Sequence, residues 1–504
     1  MHSTIVVCRR FVHKEGFDRV VRVMLFVVLC LCYVYTLPRW ADPNQNSRLD
    51  MVFAVVEDGT FQIDKYVQNT VDYAKVGEHY YSDKAPGAAF LGIPSYVMLR
   101  TVLNSSLMDS AMGYLENSET LQSTLREGGT GLLEDKVRFA AAQVALTFVA
   151  SVVPTALVGV IMYGILARFA VRPWARVLVV LGYGLCTPAF SYAGAFYGHQ
   201  LCAFCLFAAF CMAFARMWEL RTPALLLIGF VLGYSVITEY PSVLIVSILF
   251  LYTFFRLRSR WRICWVVLGG VVVAAGWMVY NTAVFGAPLE LGYSYSELWV
   301  EQHHTGFMSL TRPSLSALWG VTFSPFRGLF YFAPCLLFAV PGFVLWYRSA
   351  EHRAEFWISL SSVVVMFLFN SSSIMWWGGF AVGSRYLLPM LPFLVLPIAF
   401  VLRQWGTQLW LKGLMLGLTA WSWIATWGLT LAGQAFPSDV IKRPLFEYAW
   451  PQWRSGNIAR NLGMFLHLPS LLSLVPLLVL MVLAVIVLGL LCLRSHEFYC
   501  GAQP

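Results

Sequence analysis

Long apolar runs, separated by short polar turns, make up most of this chain. Because a helix rises about 1.5 Å per residue, roughly 20 apolar residues cross the ~30 Å hydrocarbon layer of a membrane. Such runs begin near residue 23 and recur as far as residue 493. About twelve spans are predicted on this pattern, at 23–37, 138–168, 175–195, 199–215, 223–239, 241–257, 263–283, 326–347, 355–370, 386–402, 410–432 and 470–493.

Basic residues decide the orientation of these spans, since Lys and Arg concentrate in cytoplasmic loops. If the run at 87–103 also crossed the membrane, Arg168 and every later basic cluster would lie outside. An interfacial segment at 87–103 instead places all of these clusters in the cytoplasm. Both termini are then cytoplasmic. The first span, which no small-residue cleavage site follows, is predicted to be an uncleaved signal anchor.

The same orientation places every long polar loop on the outer face. These loops are 38–137, 284–325 and 433–469, with a shorter one at 371–385. We expect one transmembrane domain over 1–432, including the loop 38–137, followed by an outer loop and the last span over 433–504. Chemistry or recognition is therefore expected outside the cytoplasm.

Composition agrees with an all-α polytopic membrane protein. Hydrophobic residues make up 59% of the chain and charged residues 12%, whereas about 25% of a soluble protein is charged. The net charge of +9 lies in clusters between spans and gives no reason to expect a nucleic acid partner. The 11 cysteines lie mostly in apolar spans and form no metal or disulfide spacing.

The polar stretch 48–87 holds the first candidate residues. Asp50 follows the first span closely, and a carboxylate there can act as general base for a hydroxyl group. The alternative is a solvated loop acid paired with Arg48. Lys84 precedes the turn Ala85-Pro86-Gly87, which can hold the cation at the membrane surface beside a lipid-linked phosphate. The alternative is a snorkelling lysine. Weaker loop acids are Asp58, Asp64, Asp72 and Asp83.

Three further candidates lie at outer turns. Arg385 begins a span on the outer side, after Trp376-Trp377, where pairing with a phosphate or carboxylate would explain it. Glu239 lies in a turn so short that its carboxylate must be near the hydrocarbon boundary. His199 occupies the neighbouring outer turn. Either Glu239 or His199 could position substrate or bind a metal, and a hydrogen-bonded structural role is the alternative.

A divalent cation site is also permitted by spacing at one place. In a helix, Glu297, Glu301 and His304 would share one face. The segment lacks the HExxH pattern, and a solvated helix face is the favoured interpretation. No metal ligand is therefore assigned, although a divalent cofactor stays open.

These motifs resemble the GT-C superfamily of polytopic glycosyltransferases, nearest the glycosyltransferase family 39 type. That type includes protein O-mannosyltransferases and lipid A aminoarabinose transferases. The resemblance covers about the first 260 residues plus one late motif. Its motifs are Asp50, Asp58-Gly59-Thr60-Phe61, the tyrosine-rich turn Tyr80-Tyr81-Ser82-Asp83-Lys84-Ala85-Pro86-Gly87, Arg138-Phe139-Ala140-Ala141 and Arg385-Tyr386-Leu387-Leu388-Pro389.

The resemblance implies a GT-C fold and inverting transfer of a sugar from a polyprenyl-phosphate donor to an extracytoplasmic glycan, lipid or protein. By that analogy Asp50 is the general base, and Lys84, with Arg385, stabilises the departing phosphate. The chain departs from the family at Ala85, which replaces a proline, and at His199-Gln200, where relatives often carry an acid. Glu239 could supply that acid. The residues expected to bind substrate are Arg48, Tyr81, Lys84, His199, Glu239, Arg385 and Tyr386.

Two other classes of function stay open. A transporter or flippase for a lipid-linked saccharide would carry broken spans, a midplane charged site and pseudo-symmetric halves. A scaffold for envelope assembly would need no clustered Asp, Lys and Arg. The enzyme is expected in a bacterial inner or plasma membrane, with its active site on the outer side.

Overall fold

The computed structural model describes residues 2–40, 42–106, 136–215, 221–298, 300–306 and 309–500, with isolated positions at 108, 113 and 117. Its helices up to residue 256 are α1 His2–Val34, α2 Pro43–Phe53, α3 Gly87–Leu103, α4 Lys136–Thr147, α5 Val153–Leu166, α6 Pro173–Leu185, α7 Pro188–Ala193, α8 His199–Ala215, α9 Thr222–Thr238 and α10 Val243–Arg256. The later helices are α11 Ile263–Phe285, α12 Val300–His304, α13 Leu315–Thr322, α14 Leu329–Phe332, α15 Ala339–Ser349, α16 Arg353–Ser372, α17 Leu391–Val395, α18 Ile398–Trp405, α19 Leu409–Thr430, α20 Trp450–Arg454, α21 Leu462–Phe465 and α22 Val475–Cys500.

Short turns of 3-10 or π helix join or extend many of these helices. The 3-10 turns are Val67–Asn69, Ala167–Phe169, Tyr240–Ser242, Arg260–Arg262, Gly292–Tyr295, Pro334–Phe338, Arg385–Met390 and Ser470–Leu474. The π turns are Ala54–Asp58, Phe148–Val152 and Leu445–Ala449.

Five helical segments among the described residues are long and apolar enough to cross a membrane. They are Val137–Phe169, Arg260–Phe285, Arg353–Ser372, Arg385–Trp405 and Ser470–Leu493. Shorter apolar helices lie at Gly87–Leu103, Pro173–Leu185, His199–Ala215, Thr222–Thr238 and Tyr240–Arg256. The all-α polytopic class predicted from the sequence is confirmed, and helix lies within every predicted span.

Two predicted spans are wrong as continuous helices. The segment 175–195 breaks into α6 and α7, because Thr187 is extended before Pro188 and its side chain accepts the hydrogen bond of the Ala189 amide. A proline disfavours helical geometry in the residue before it. The segment 326–347 breaks at Ala333, directly before Pro334, for the same reason.

The first outer loop folds around its own apolar core. Asp42 caps α2 by accepting hydrogen bonds from the amides of Asn44 and Gln45, and Pro43 occupies the first helical position. Both features favour the start of a helix. Phe53 at the end of α2 packs against Tyr96 of α3, with ring centroids 4.6 Å apart. Each buried ring of this size stabilises the loop by about 1.5–3 kcal/mol.

Helix α3 matches the predicted interfacial segment in its bounds, and its interfacial position stays a prediction. Its first residue packs tightly on the end of α9. A Cβ on Gly87 would lie 2.3 Å from the Thr238 hydroxyl oxygen, and the Tyr234 hydroxyl donates to the Gly87 carbonyl at 2.7 Å. Glycine is therefore required there. This contact brings Lys84 toward the residue after Thr238, which is Glu239.

A small hairpin, which the sequence interpretation missed, completes the first loop. Strands β1 (Ala74–Val76) and β2 (His79–Tyr81) pair antiparallel. Gly77 in the turn between them has a φ of +63°, a conformation that glycine adopts readily. Ala74 also forms a bridge to Ser296 of the second outer loop. The hairpin thus joins the two loops and holds Asp72 and Asp83 at its two ends.

Candidate functional site

Several of the predicted site residues converge around the ring of Tyr197. The Arg48 guanidinium carbon lies 6.0 Å from the Tyr197 ring centroid, and the Arg385 guanidinium carbon lies 5.5 Å from it. Arg385 is also 5.3 Å from the ring of Tyr386. We define the outer cluster as Arg48, Tyr197, His199, Glu239, Arg385 and Tyr386.

Glu239 links the charged members of the outer cluster. Its Oε1 atom lies 3.0 Å from His199 Nδ1 and 3.8 Å from Arg48 Nη2. The His199 ring in turn meets the Tyr386 ring edge-on, with centroids 6.0 Å apart. All three of Arg48, His199 and Glu239 are buried. Since burial of an unpaired charge costs several kcal/mol, their mutual pairing is what permits them here.

Backbone geometry at two helix ends sets this arrangement. Glu239 follows the last residue of α9 with an extended backbone, and His199 is the first residue of α8. A Cβ on Gly198 would lie 2.6 Å from Glu239 Oε1 and 2.6 Å from the Thr238 carbonyl oxygen. Only glycine at position 198 therefore leaves room for the carboxylate beside His199.

Arg385 differs from the other cations in having no carboxylate partner. In the part of the chain that the structure describes, no Asp or Glu oxygen lies within 4.0 Å of its guanidinium. Its Nε atom is buried and makes no hydrogen bond there. Its neighbours are aromatic faces, which attract a cation without neutralising its charge. Arg385 is therefore the cation in this cluster best able to receive an anion from outside the protein.

Lys84 has two carboxylate partners. Its Nζ atom lies 3.1 Å from Asp72 Oδ2 and 3.1 Å from Asp83 Oδ2. Burial lowers the pKa of Lys84, but the two carboxylates outweigh it, and the net pKa is raised. Burial raises the pKa of Asp83, against the opposing effect of Lys84. The snorkelling interpretation of Lys84 is wrong, because its side chain is only 9% exposed and is held in this ion-paired group.

Asp50 lies apart from the outer cluster. Side chains two residues apart on a helix point about 200° apart, so Asp50 and Arg48 project from opposite sides of α2. Asp50 is 0% exposed and accepts one hydrogen bond, from Asn69 at 3.4 Å. Its Oδ2 atom has no partner among the described residues, and burial raises its pKa well above the usual range.

The alternative interpretation of Asp50, a solvated acid paired with Arg48, is wrong in both respects. Arg48 bonds instead to Asn44, through the carbonyl at 2.9 Å and through the side-chain oxygen, and faces Glu239. Asp50 as general base stays a prediction.

Tyr81 and two of the weaker loop acids have other local partners. Tyr81 contacts Phe285, with ring centroids 6.4 Å apart, and receives a 3.5 Å hydrogen bond from Gln62. Asp58 accepts from Tyr66 at 2.7 Å, and Asp64 lies 2.7 Å from His79. These contacts hold the first loop together and do not reach the outer cluster.

Tyr197 and Asp42 are members of the site that sequence reasoning missed. The Tyr197 hydroxyl donates to Asp42 Oδ2 at 2.6 Å, which fixes the ring between Arg48 and Arg385. Asp42 at the same time caps α2. The Asp-Pro pair at 42–43 is a helix-start signal that would have placed Asp42 at the head of the helix carrying Arg48.

The proposed face of Glu297, Glu301 and His304 does not form on one helix. Helix α12 begins at Val300, so Glu297 precedes it, and the amide of Glu297 donates to the Tyr73 carbonyl at 3.4 Å. The His304 side chain lies outside the described residues. Across the described ranges, no three His, Cys, Asp or Glu side chains are grouped as metal ligands would be.

Comparison with known proteins gives structural likenesses only. No protein-family model matches the chain, and no curated protein matches its sequence. ArnT from Cupriavidus metallidurans in the apo state is similar over 80% of this chain and 64% of its own, at 14% identity and a TM-score of 0.44. The chain therefore spans less than two thirds of that protein.

Two further solved structures show a likeness of the same extent. ArnT from Cupriavidus metallidurans bound to undecaprenyl phosphate is covered over 73%, at 15% identity and a TM-score of 0.46. AglB from Archaeoglobus fulgidus, an archaeal oligosaccharyltransferase in complex with an inhibitory peptide and a dolichol-phosphate, is covered over 56%, at 11% identity and a TM-score of 0.43. They cover 87% and 83% of this chain.

Because each TM-score lies below 0.5, the likeness carries no weight for function.

Proposed function

We propose that this protein is a GT-C-type membrane glycosyltransferase that moves a sugar from a polyprenyl-phosphate donor to an acceptor on the outer face of the membrane. The observation that carries the proposal is Arg385, a cation without a carboxylate partner among the described residues, beside Arg48 and two tyrosine rings. A phosphate group would neutralise it with bidentate hydrogen bonds.

The roles of the residues follow from their charges. Arg385 would bind the phosphate of the donor, with Arg48 as a second cation whose charge Glu239 partly offsets. Lys84 would act through its ion-paired group with Asp72 and Asp83, close enough for the charge of Arg48 to affect its pKa. Fixed cations stabilise a leaving group most as its negative charge develops. The aromatic rings exclude water from the same space.

The proposed reaction is a single displacement with inversion. The acceptor hydroxyl oxygen forms a bond to the anomeric carbon, and the bond from that carbon to the phosphate oxygen breaks. The hydroxyl proton passes to a carboxylate, and the polyprenyl phosphate leaves with the electron pair. Asp50 is the proposed base. It would have to become accessible in the complex with substrate, because it is fully buried in the present state.

Glu239 is a second candidate for the base, favoured by a specific contact. It lies between His199 and Arg48 in the outer cluster, whereas Asp50 lies on the other side of α2. Replacing each carboxylate by its amide in turn separates the two. The amide variant of the residue that acts as the base should lose transfer activity while it still binds the donor.

The experiment that tests the proposed function compares a deletion strain with its parent by lipid and glycan analysis. We expect the deletion strain to accumulate a polyprenyl-phosphate sugar and to lack that sugar on one acceptor. Restoring the wild-type gene should reverse both changes, and Arg385→Gln should reverse neither. Unchanged lipid-linked sugars and unchanged glycans in the deletion strain would contradict the proposal.

A transporter or flippase is the alternative, and the two broken segments agree with it. The charged residues favour the enzyme, because His199, Glu239 and Arg385 lie at the ends of apolar helical segments that the predicted orientation places at the outer boundary, not at the midplane. Vesicles containing the purified protein distinguish the two functions. A transporter would move a lipid-linked saccharide between leaflets without consuming it, whereas the enzyme would release polyprenyl phosphate.

A further inference from the structure

A cavity lies near the outer cluster, between the segments 324–326, 376–377 and 439–443. It has a volume of about 480 Å³, and we call it the outer pocket. Its lining combines aromatic rings with two cations and one acid. The lining residues are Ser324, Pro325, Phe326, Trp376, Trp377, Asp439, Lys442 and Arg443.

The aromatic residues present two surfaces at right angles. The rings of Trp376 and Trp377 have centroids 5.9 Å apart and an interplanar angle of 90°. Phe326 meets Trp376 edge-on at 5.9 Å. The Trp377 indole Nε1 is buried and has no hydrogen-bond partner among the described residues. A buried donor without a partner is destabilising, so a ligand oxygen that reached Trp377 Nε1 would satisfy it.

The side chains of Lys442 and Arg443, the two cations of the outer pocket, are exposed, and the Arg443 backbone amide donates to Glu447 Oε2 at 3.1 Å. Lys442 donates to the Asp439 carbonyl at 2.7 Å and lies 4.5 Å from the Phe326 ring centroid. No Asp or Glu oxygen lies within 4.0 Å of the Lys442 or Arg443 side-chain nitrogens in the described ranges. The Asp439 carboxylate is bonded by Ser438 at 3.2 Å and keeps acceptor capacity. The pocket therefore attracts an anion and can also accept hydroxyl hydrogen bonds.

The outer pocket and the outer cluster share a wall. The buried guanidinium of Arg327 donates to the carbonyl of Trp377 at 3.2 Å and to that of Gly379 at 2.8 Å. Between them, a Cβ on Gly378 would lie 3.0 Å from Arg385 Nε. A molecule bound over Trp377 is thus separated from Arg385 by one glycine. The outer pocket thus lies next to the residues that are proposed to bind the donor.

We infer that the outer pocket is the acceptor subsite and that it takes an anionic saccharide, a sugar that bears a carboxylate or phosphate group. The inference rests on the proposed function and names its acceptor class. The apolar face of a sugar ring packs on an indole ring, and hydroxyl groups bond to Trp377 Nε1 and to the Asp439 carboxylate. The anionic group pairs with Lys442 and Arg443. A neutral sugar would make no use of either charge.

Direct binding to the full-length protein in lipid nanodiscs tests this inference. The probe is tri-galacturonate, and its fully methyl-esterified form is the neutral counterpart of the same shape. We expect tri-galacturonate to bind at least tenfold more tightly than the ester. The double variant Lys442→Gln/Arg443→Gln should abolish this preference, because two charge-assisted contacts are lost. Trp377→Phe, which removes the indole donor and reduces the aromatic surface, should weaken binding of both probes roughly threefold to tenfold.

Matched controls separate the pocket from general effects of charge and aromatic content. Arg172→Gln/Lys412→Gln removes the same charge, and Trp261→Phe removes an exposed indole; all three residues lie outside the pocket. Neither control should change binding. Equal affinity for the two probes, or a double variant that binds as the wild type does, would overturn the inference.

In the absence of acceptor, water can take the sugar, and the donor is hydrolysed to free sugar and polyprenyl phosphate. Measuring this donor turnover keeps the binding test separate from the proposed function. Donor turnover should depend on Arg385 and should be unchanged in the Arg172→Gln/Lys412→Gln control, which lies outside both sites. If the pocket variants leave probe binding intact while donor turnover is normal, the acceptor inference fails alone. If donor turnover is absent from the wild type, the proposed function fails and the acceptor role with it.

Discussion

Replacing Arg385 by glutamine is expected to have the largest effect on transfer of any single cation substitution in the site. Lys84 has two carboxylates within 3.1 Å, and Arg48 has Glu239 at 3.8 Å. Arg385 has no carboxylate within 4.0 Å among the described residues, so less of its charge is offset than at Lys84 or Arg48. Glutamine keeps part of the side-chain length, but it removes the positive charge and the paired N–H donors of the guanidinium.

The expected magnitude follows from Coulomb's law. Two unit charges 4 Å apart interact by about 4 kcal/mol at an effective dielectric constant near 20. Part of that attraction already acts on the bound donor, and only the part that grows in the transition state affects the chemical step. Loss of one preorganised donor to a developing anion costs roughly 10²–10³-fold in kcat. We therefore expect Arg385→Gln to lower kcat/KM by about 10²–10³-fold.

The fold should tolerate this change. Arg385 makes ring contacts with Tyr197 and Tyr386, worth about 0.5–2 kcal/mol together. Lys84→Met contrasts with it, because that substitution leaves Asp72 and Asp83 buried without their cation. Breaking such a pair costs about 3–5 kcal/mol. Lys84→Met should thus lower the Tm in detergent far more than Arg385→Gln does.

The assay measures polyprenyl phosphate released from radiolabelled donor by purified protein in nanodiscs, with Tm measured on the same preparations. Arg385→Lys keeps the charge and should recover part of the lost rate, about tenfold, since it lacks the bidentate geometry. If Arg385→Gln turned over donor within threefold of wild type, the phosphate would not lie at Arg385. If Lys84→Met lost activity without loss of Tm, Lys84 would be the main phosphate cation instead.

Two further predictions concern the carboxylates. Asp50→Asn should lower transfer by about 10²–10⁴-fold if Asp50 is the base. Burial raises the pKa of Asp50 in the free enzyme, and kcat/KM reports the protonation states of the free enzyme. Wild-type kcat/KM should therefore decline with falling pH well above the usual aspartate pKa of about 3.9, because the protonated carboxyl cannot accept a proton. A kcat/KM profile that is flat down to pH 5 would argue against this role. Gly198→Ala should displace Glu239, whose Oε1 would lie 2.6 Å from the new Cβ, and should lower kcat about tenfold or more. Gly182→Ala is the control, because no atom lies within 4 Å of its Cβ, and it should leave kcat unchanged. Equal activity of the two variants would refute the steric reasoning.

The helices could be predicted because each one corresponds to an apolar run within one continuous stretch of the sequence. The broken segments at Thr187 and Ala333 were also readable, since each residue precedes a proline. The spans were nevertheless predicted whole, because hydropathy outweighed the proline signal. The strands of the hairpin over 74–81 have three residues each. An alternation of apolar and polar residues over so short a length cannot be distinguished from the pattern of a loop.

The sequence predicts which residues belong to the site, but it does not predict which of them contact each other. Arg48, His199, Glu239 and Arg385 were found because ionisable groups at membrane boundaries are costly and need a reason. Which carboxylate each cation meets depends on packing between segments far apart in the chain. Asp50 shows this limit most clearly. Its nearness to Arg48 in sequence predicted an ion pair, but helix α2 turns the two side chains to opposite sides.

The spread of the outer cluster along the chain has a consequence for synthesis in the cell. Arg48, Glu239 and Arg385 belong to segments that emerge from the ribosome in that order, with several spans between them. Until residue 239 is made, Arg48 has no Glu239 carboxylate to meet across the site, and until residue 385 is made the cluster lacks the cation proposed to bind phosphate. A chain that stops before Arg385 would therefore hold the ion pair of Arg48 with Glu239 without that cation. On the proposed function, full capacity to bind the lipid-linked sugar arises only after most of the spans have been made.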